Sequence, residues 1–572
     1  MKRLIVLFIP VFVIFVNNVF PQSRPNEFSY DVVDNRTITI TKYNGRATTV
    51  QIPDRLQDLP VTAIGDSMFY NNNDLLNIII PSSVTTIGNN AFSSCFNLTS
   101  LIIPSSVTTI GNDAFNSCYG LTSVTIPYSV TIIGNKAFGN CRNLTNIIVD
   151  NNNPVFKSVD GVLFDKNVYN LIAYPAGKNT TTYVIPSTVN SIENSSFMHC
   201  RNLRNIIVSS EAKSIGAYSF FYCINLTSIT LPSSLSIIGE QAFAECSNLS
   251  NITIPSSVTT IGDGAFASCS SLTNINLPSS ITTIGNETFY RCNNLIKITI
   301  PSSVTTIGKF AFSGCVNLNN ITIPSSVTTI GEHVFSGCFS FTNITIPSSV
   351  ITIGNGAFNS CINLITFIVD NKNTKYTSVD GVLFDKDKSN LIAYPAGKKD
   401  VNYIIPSTVK VIENWAFYQT YFLTSITISF SVTTIGKFSF AYCTNMTSII
   451  VENHNSNFLS IDGVLFDKKI QNLITYPAGK KTEKYIIPST VITISDGAFS
   501  GCEYLVNITI PFSVTTIGSS VFSDCDNLNS IAIGNNVRFS GFYQHGDFHD
   551  VYYRAKQSAG IYIKRNGLWV KE

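Results

Sequence analysis

The feature that most constrains this fold is a 23-residue period that two residue types mark along most of the chain. Successive cysteines are separated by 23, 59 or 82 residues, which means that a 36-residue insertion enters the same period three times. A phenylalanine stands three residues before each cysteine position and recurs in sixteen repeats, two of which carry Asn72 or Thr420 instead of cysteine. Length alone would predict about four globular domains. A periodic chain has no such limit, because each repeat adds one unit to an array.

A single repeat is too small to fold alone. Residues 97–118 contain an extended apolar segment that Pro104 ends, a second apolar pair, a bend at Gly111 and a turn from Phe115 to Cys118. Proline cannot donate a hydrogen bond to a strand ladder, and no predicted element exceeds about six residues. The apolar side chains are buried only if they pack against the same residues of the neighbouring repeats. The period therefore predicts a solenoid with parallel strands and continuous columns of Leu, Ile, Val and Phe.

The consensus of these repeats is L-x-x-[IL]-x-[IL]-P-x-S-V-x-x-I-G-x-x-A-F-x-x-C-x-N. It covers roughly residues 60–534 and resembles the leucine-rich repeat of the BspA-like, treponemal type. The resemblance implies an α/β-type repeat solenoid, that is, a right-handed leucine-rich-repeat coil dominated by a parallel β-sheet with short turns and 3-10 segments. Family members are bacterial surface proteins, also abundant in some mucosal protozoa, and those studied are implicated in adhesion to host matrix proteins and microbial cells. Such a likeness transfers the fold more securely than the function.

The three insertions share a pattern of two apolar segments, the first of which contains an Asp-Gly pair. The segments are Ser158–Asp165 with Leu171–Lys178, Ser378–Asp385 with Leu391–Lys398, and Ser460–Asp467 with Leu473–Lys480. Because Asp-Gly is a turn signal, each insertion is predicted to be an enlarged, hairpin-like turn that remains in the stack. Acidic, Asn-rich bends precede them at residues 150–153, 370–373 and 452–455. These bends either form Asx turns or bind calcium, and the lack of a D-x-D-x-D-G pattern favours Asx turns.

The two ends of the chain differ from the repeats. Residues 1–23 combine two early positive charges with a thirteen-residue apolar run, which predicts a secretory signal peptide, with an uncleaved signal anchor as the alternative. The run is too short for a transmembrane helix, so the mature chain is predicted to have no membrane span and to be secreted or at the cell surface. Residues 24–60 are predicted to form an N-terminal β-hairpin cap with its turn at Asn44-Gly45, and residues 61–534 the repeat solenoid. The aromatic residues 535–572 form either a C-terminal cap, which is favoured, or an element that docks on the cell envelope.

Charge and spacing argue against several classes of function. With 37 Lys and Arg against 35 Asp and Glu, the net charge of +2 gives no basic surface for nucleic acid. The cysteine column forms either disulfides between adjacent repeats or, as we favour, a column of buried free thiols. No nucleotide-binding, zinc-protease or serine-hydrolase motif is present, so we predict no enzymatic activity and no cofactor. The segment His545–Asp550 offers imidazoles and carboxylates for a metal, but without a predicted helix it is better interpreted as a solvated tail, and no metal is predicted.

The strand of each repeat has one residue that points outward between two inward apolar ones. On six consecutive repeats these outward residues are small and uncharged: Thr230, Thr253, Asn276, Thr299, Thr322 and Thr345. Such a flat, hydrogen-bonding surface suits a protein or glycan macromolecule, for example host extracellular matrix or a cell surface, more than a small ligand. Threonine also simply favours exposed strands, and the alternative function is a structural spacer of the cell surface without a specific partner.

Overall fold

The computed structural model describes residues 24–319, 321–540 and 547–572. The chain forms two compact units, which divide between Asn179 and Thr180. The predicted signal peptide, residues 1–23, lies outside the described residues. Each unit is a stack of coils, and in most coils the chain passes through two short strands that pair in parallel with the same strands of neighbouring coils. We call the ladder that precedes the Pro turn the first ladder and the one that follows it the second ladder.

The first unit contains five strands in each ladder. Its first ladder consists of Thr49–Gln51, Asn77–Ile79, Ser100–Leu101, Ser123–Ile126 and Asn146–Val149. Its second ladder consists of Thr37–Tyr43, Leu59–Ile64, Thr86–Ile87, Thr109–Ile110 and Ile132–Ile133. The remaining elements are the 3-10 turn Pro25–Glu27, the antiparallel strands Phe28–Val33 and Arg55–Leu56, and the first insertion with Phe156–Val159, Val162–Asp165 and Asn170–Ala173.

The predicted hairpin turn at Asn44-Gly45 is wrong. The N-terminal hairpin lies earlier, because Phe28–Val33 pairs antiparallel with Thr37–Tyr43. The segment Thr49–Gln51 leaves this sheet and pairs in parallel with Asn77–Ile79 in the first ladder. Pairing within the stack therefore outweighed the local turn signal.

The second unit is built in the same way, and its described residues form thirteen strands in each ladder. Its first ladder consists of Thr182–Val184, Asn205–Ile207, Ser228–Thr230, Asn274–Asn276, Lys297–Thr299, Asn343–Ile346, Thr366–Val369, Asn402–Ile404, Ser425–Ile428, Ser448–Val451, Lys484–Ile486, Asn507–Thr509 and Ser530–Ile533. Its second ladder consists of Ser191–Ile192, Ser214–Ile215, Ile237–Ile238, Thr260–Ile261, Thr283–Ile284, Thr306–Ile307, Thr329–Ile330, Thr352–Ile353, Val411–Ile412, Thr434–Ile435, Thr493–Ile494, Thr516–Ile517 and Arg538–Phe539. Pairs stand 23 residues apart within uninterrupted repeats, as in Asn274 with Lys297.

The core of a coil is the column of phenylalanines that the sequence predicts. Phe312 is fully buried and stacks between Phe289 and Phe335, with ring centroids 5.5 and 5.7 Å away. In thirteen of the sixteen repeats a glycine stands four residues before this phenylalanine. Close stacking favours it, because a Cβ at Gly308 would lie 2.7 Å from the backbone nitrogen of Asn286. The period thus sets both the spacing of the aromatic column and the close approach of successive backbones.

The fold is a parallel β-solenoid with almost no helix, which corrects two details of the predicted class. Within the described parts of the chain, helical structure is confined to the 3-10 turn Pro25–Glu27 and the helix Asp547–Arg554. The α/β description is therefore too broad, and the phenylalanine-containing segments are turns without 3-10 helix. Backbone N–H groups along these turns alternate between bonds to the next coil, as in Phe312 N to Val334 O at 3.0 Å, and bonds within the turn, as in Ser313 N to Phe310 O at 3.0 Å.

The insertions are antiparallel three-stranded meanders, as the Asp-Gly signals predict for the hairpin. The second consists of Tyr376–Val379, Val382–Asp385 and Asn390–Ala393, and the third of Phe458–Ile461, Val464–Asp467 and Asn472–Thr475. The Asn-rich bends are Asx turns, as favoured. In the second insertion the amide of buried Asn373 donates to Pro347 O and Val350 O, and its Oδ1 accepts from the backbone N–H of Lys375 at 2.8 Å.

The aromatic C-terminal segment packs on the last coil, which is the arrangement expected of a cap. The helix Asp547–Arg554 is followed by an antiparallel hairpin, Gly560–Arg565 with Leu568–Lys571, and the hairpin adds to the first-ladder strand Ser530–Ile533. Phe548, Tyr552, Tyr562 and Trp569 are all buried in this core. The prediction that His545–Asp550 is not helical is wrong for residues 547–550, which lie in the helix Asp547–Arg554. His545 itself lies outside the described residues.

Candidate functional site

The predicted outward residues lie where the sequence places them. Thr230, Thr253, Asn276, Thr299, Thr322 and Thr345 are all exposed, at the equivalent position of successive coils in the second unit. Thr299 illustrates the geometry, because its neighbours Ile298 and Ile300 are both buried. Asn276 and Thr299 are direct partners in parallel strands, where the spacing is about 4.8 Å. Thr253 and Thr322 occupy coils that lack an assigned first-ladder strand, although their exposure is the same. We call this position of every coil the face column.

A second exposed column flanks the face column two residues earlier in each strand. It carries Ser228, Asn251, Asn274, Lys297 and Asn343, all exposed. Ser228 Oγ donates to Oδ1 of Asn205 in the preceding coil at 2.7 Å. Over these coils the surface of the first ladder is therefore polar, flat and nearly uncharged.

In the second unit the face column turns apolar around the insertions, which sequence reasoning missed. Ile368 is the register partner of Thr345 and is 48% exposed, and Ile404, the next member of the column, is 68% exposed. Around the third insertion, Ile450 and Ile486 are 50% and 73% exposed. Counting the 23-residue period through each 36-residue insertion would have found these residues. In the first unit the same column carries Ile79, Ile102, Thr125 and Ile148, of which the three isoleucines are also exposed.

The hairpin tip of each insertion lies beside this apolar part of the column. The backbone nitrogen of Phe367 donates to Gly381 O, and that of Ile449 donates to Gly463 O, both at 2.9 Å. Val379 and Ile461, which stand just before these turns, are themselves exposed. In the following strand, burial together with the charges of Asp380 at the tip and of Asp400 raises the pKa of Tyr403. We call the exposed aliphatic residues around each of these two insertions the aliphatic clusters: Ile368, Val379 and Ile404, and Ile450, Ile461 and Ile486.

The cysteine column is made of buried thiols, as favoured by the sequence. All fourteen cysteines are buried thiols. The Cys315 thiol donates to Phe289 O at 3.1 Å, and burial raises its pKa to about 12. A thiol that is protonated and shielded from solvent is a poor nucleophile and metal ligand. In the described ranges, no group of three or more His, Cys, Asp or Glu side chains is arranged to hold a metal ion.

None of the helices in the described parts of the chain has the length and apolar character needed to cross a bilayer.

Comparison with known proteins places the repeats in one family. The profile described as the BspA type leucine rich repeat region matches residues 43–166, 173–296, 282–402, 399–479 and 468–547. No curated protein matches the chain. Among solved structures, a leucine rich cell surface protein of Faecalibacterium prausnitzii is 25% identical, with 90% of this chain and 94% of that chain covered and a TM-score of 0.35. A leucine-rich repeat protein of Eubacterium ventriosum is 26% identical, with 62% and 97% covered and a TM-score of 0.45. Since the profile matches well over half of its length, this chain belongs to the family of proteins with BspA-type leucine-rich repeats.

Proposed function

We propose that this protein is exported to the cell surface and binds a protein or glycan macromolecule through the face column of its second unit. Export rests on the predicted signal peptide, and an adhesive role is what the BspA-like repeats imply. The observation that carries the proposal is the change along the face column from exposed Thr and Asn to exposed Ile. The partners that we propose for this surface are host matrix proteins, glycans and other cells.

The aliphatic clusters distinguish a binding surface from a spacer. A spacer needs only a soluble exterior, and a uniform column of threonine would provide it. Ile404 and Ile486 are each more than two-thirds exposed, which leaves aliphatic surface in contact with water. Exposed apolar clusters beside a polar, nearly neutral surface are typical of protein interaction sites. A partner that covers both would gain from desolvation of the isoleucines and from hydrogen bonds with the threonines.

The experiment introduces charge into the face column and scores capture. The mature chain, immobilised, is offered fibronectin, fibrinogen, a glycan array and whole cells, and is compared with Thr253→Glu/Thr299→Glu/Thr345→Glu. Because the carboxylates would be desolvated against a neutral partner, we expect capture to be lost. The matched control is Thr259→Glu/Thr282→Glu/Thr305→Glu, which adds the same charge at exposed threonines away from the face column. Both variants should melt close to wild type.

Three results would contradict the proposal. Equal capture by wild type and the face-column variant would move the site elsewhere on the protein. Equal loss in both triple variants would show that added charge alone, rather than its position, prevents capture. If the wild type captures nothing from any of these materials, the spacer function is supported instead.

A further inference from the structure

The second insertion opens a cleft on the second-ladder side of the second unit. The cleft has a volume of about 360 Å³, and three aromatic and three polar side chains define its chemistry. These are Tyr376, Trp415, Tyr418, Asp385, Asn390 and Glu413. Its volume lies within the range of small-molecule sites, about 300–1,000 Å³. We call it the aromatic cleft.

The cleft exists because an aromatic column on this side of the coils is interrupted. Phe310 stacks on His333 with centroids 4.9 Å apart, and Trp415 stacks on Phe438 at 4.4 Å. The position between these two pairs is Gly356, where a Cβ would lie 2.6 Å from Cε1 of His333. With no side chain there, His333 meets Trp415 only edge-on at 5.4 Å. Phe438 stacks on one face of the indole, Tyr418 meets the ring in a T-shaped contact at 4.9 Å, and Trp415 lines the cleft.

The polar groups of the cleft are held in place by hydrogen bonds of the insertion. Asp385 Oδ1 accepts from the backbone N–H of Asn390 at 2.9 Å, and its Oδ2 accepts from Ser389 Oγ at 2.7 Å. The amide of Asn390 then donates to Glu413 Oε1 at 2.9 Å. Among the described residues, Glu413 Oε2 and the indole N–H of Trp415 have no hydrogen-bond partner. An acceptor and a donor are therefore pre-positioned beside an aromatic surface, which lowers the cost of binding.

This combination of groups matches the chemistry of a sugar ring. One face of a pyranose carries C–H groups that pack on an aromatic ring, and its edge carries hydroxyls that donate to carboxylates and accept from N–H groups. Lys375 also lines the cleft and partly offsets the charges of Asp385 and Glu413. An anionic ligand would face two carboxylates, and a cation would face the lysine. We propose that the aromatic cleft binds a neutral pyranose unit of a glycan.

The third insertion provides a natural comparison, because the equivalent cleft has lost these groups. Its volume is about 320 Å³, and it retains the equivalents of Asp385 and Asn390. Gly497 stands in place of Trp415 and Ser495 in place of Glu413. Lys437 Nζ and Asp496 Oδ2, both from residues that line this cleft, form an ion pair at 2.9 Å. The sugar site is therefore specific to the second insertion, and it does not depend on the face column being a binding surface.

Fluorescence tests the proposal directly, because the chain contains only two tryptophans. In a Trp569→Phe background, Trp415 is the sole indole emitter, and the mature chain is titrated with the methyl glycosides of glucose, galactose, mannose, N-acetylglucosamine and N-acetylgalactosamine. We expect a saturable change in emission with at least one of them. Glu413→Gln keeps the acceptor for Asn390 but removes the charge, and should weaken that sugar about tenfold. Ser495→Ala, at the equivalent position of the third insertion, should leave the affinity unchanged.

Other outcomes would overturn the proposal. These are no saturable change with any neutral sugar, saturation by N-acetylneuraminic acid alone, or saturation by tetramethylammonium alone, which would indicate an aromatic cage for cations. An unchanged affinity in Glu413→Gln would also overturn it, because the carboxylate would then not contact the sugar. Calorimetry with Trp415→Leu provides a second readout, in which binding should be lost while the melting temperature stays near that of wild type.

Discussion

Truncation of one ring in the phenylalanine column tests how the solenoid is held together. Phe312 is fully buried, and its backbone is fixed because its nitrogen bonds to Val334 O at 3.0 Å. Phe312→Ala removes a buried ring whose transfer from water contributes about 2.5 kcal/mol. Intercoil hydrogen bonds prevent the coils from closing the gap, so a cavity of about 80 Å³ at about 24 cal/mol per Å³ adds about 2 kcal/mol. We expect a total loss of about 4 kcal/mol.

Urea denaturation followed by circular dichroism measures this loss. The urea midpoint of Phe312→Ala should fall while the dependence of the unfolding free energy on urea concentration stays the same. Wild type and variant expose nearly the same surface on unfolding. Phe312→Leu refills much of the cavity and should cost about 1 to 2 kcal/mol. Phe339→Ala is the matched control, since that ring is 40% exposed and its removal should cost less than about 0.5 kcal/mol.

Hydrogen exchange should show where the damage lies. Each coil contacts its neighbours alone, so amides of the coils that hold Phe289, Phe312 and Phe335 should lose protection first. Coincident urea midpoints for wild type and Phe312→Ala would refute the stacking argument. So would an equal effect of Phe339→Ala, because burial would then not determine the cost.

Three further predictions concern buried polar groups. In the native protein the thiols should be almost unreactive toward a disulfide reagent at pH 8, because burial raises the pKa of Cys315 to about 12. In denaturant without reductant, nearly all fourteen thiols should react. Reaction of two or fewer thiols in denaturant would mean that the column is oxidised. Asn373→Asp replaces an amide that donates to two carbonyl oxygens and should cost about 3 kcal/mol in thermal unfolding, whereas Asp at exposed Asn371 should be nearly neutral. Burial works to raise the pKa of Asp496, but the ion pair with Lys437 and hydrogen bonds from Ser519 outweigh it and lower the pKa. The Asp496 carboxylate therefore stabilises the fold above its unfolded pKa of about 3.9, and this stability is lost as pH falls through the lower folded pKa. Asp496→Asn should abolish this part of the dependence of the melting temperature on pH.

The 23-residue repeat predicts most of this fold because the same packing constraints apply in every coil. The columns of Phe, Cys, Val and Ile and the parallel pairing follow from one period and from the need to bury apolar side chains. Asn44-Gly45 misled because a turn signal is local, whereas Val50 is buried in the stack and fixes its strand in the first ladder. The real turn uses Asp34 and Asn35, both with positive φ, as short polar side chains tolerate.

The C-terminal helix had a weaker signal that could have been used. Phe548 and Tyr552 stand four residues apart, which places them on one face of a helix, and both are fully buried against the last coil. The helix has eight residues, and one this short is marginal without tertiary packing. Its presence therefore depends on the apolar end of the stack that it covers, which no local pattern encodes.

The insertions explain where a uniform array acquires distinct chemistry. In uninterrupted coils each side chain meets its own equivalent in the next coil, so columns repeat and surfaces remain alike. An insertion separates two coils by a three-stranded meander, and the surfaces on the first-ladder side and on the second-ladder side both change at that place. On the first-ladder side Ile368 and Ile404 are exposed beside the hairpin tip. On the second-ladder side the same separation leaves the aromatic cleft between Gly356 and Trp415. Selection for a partner would therefore act most strongly on residues that flank the insertions, whereas the coils between them are constrained mainly by stacking.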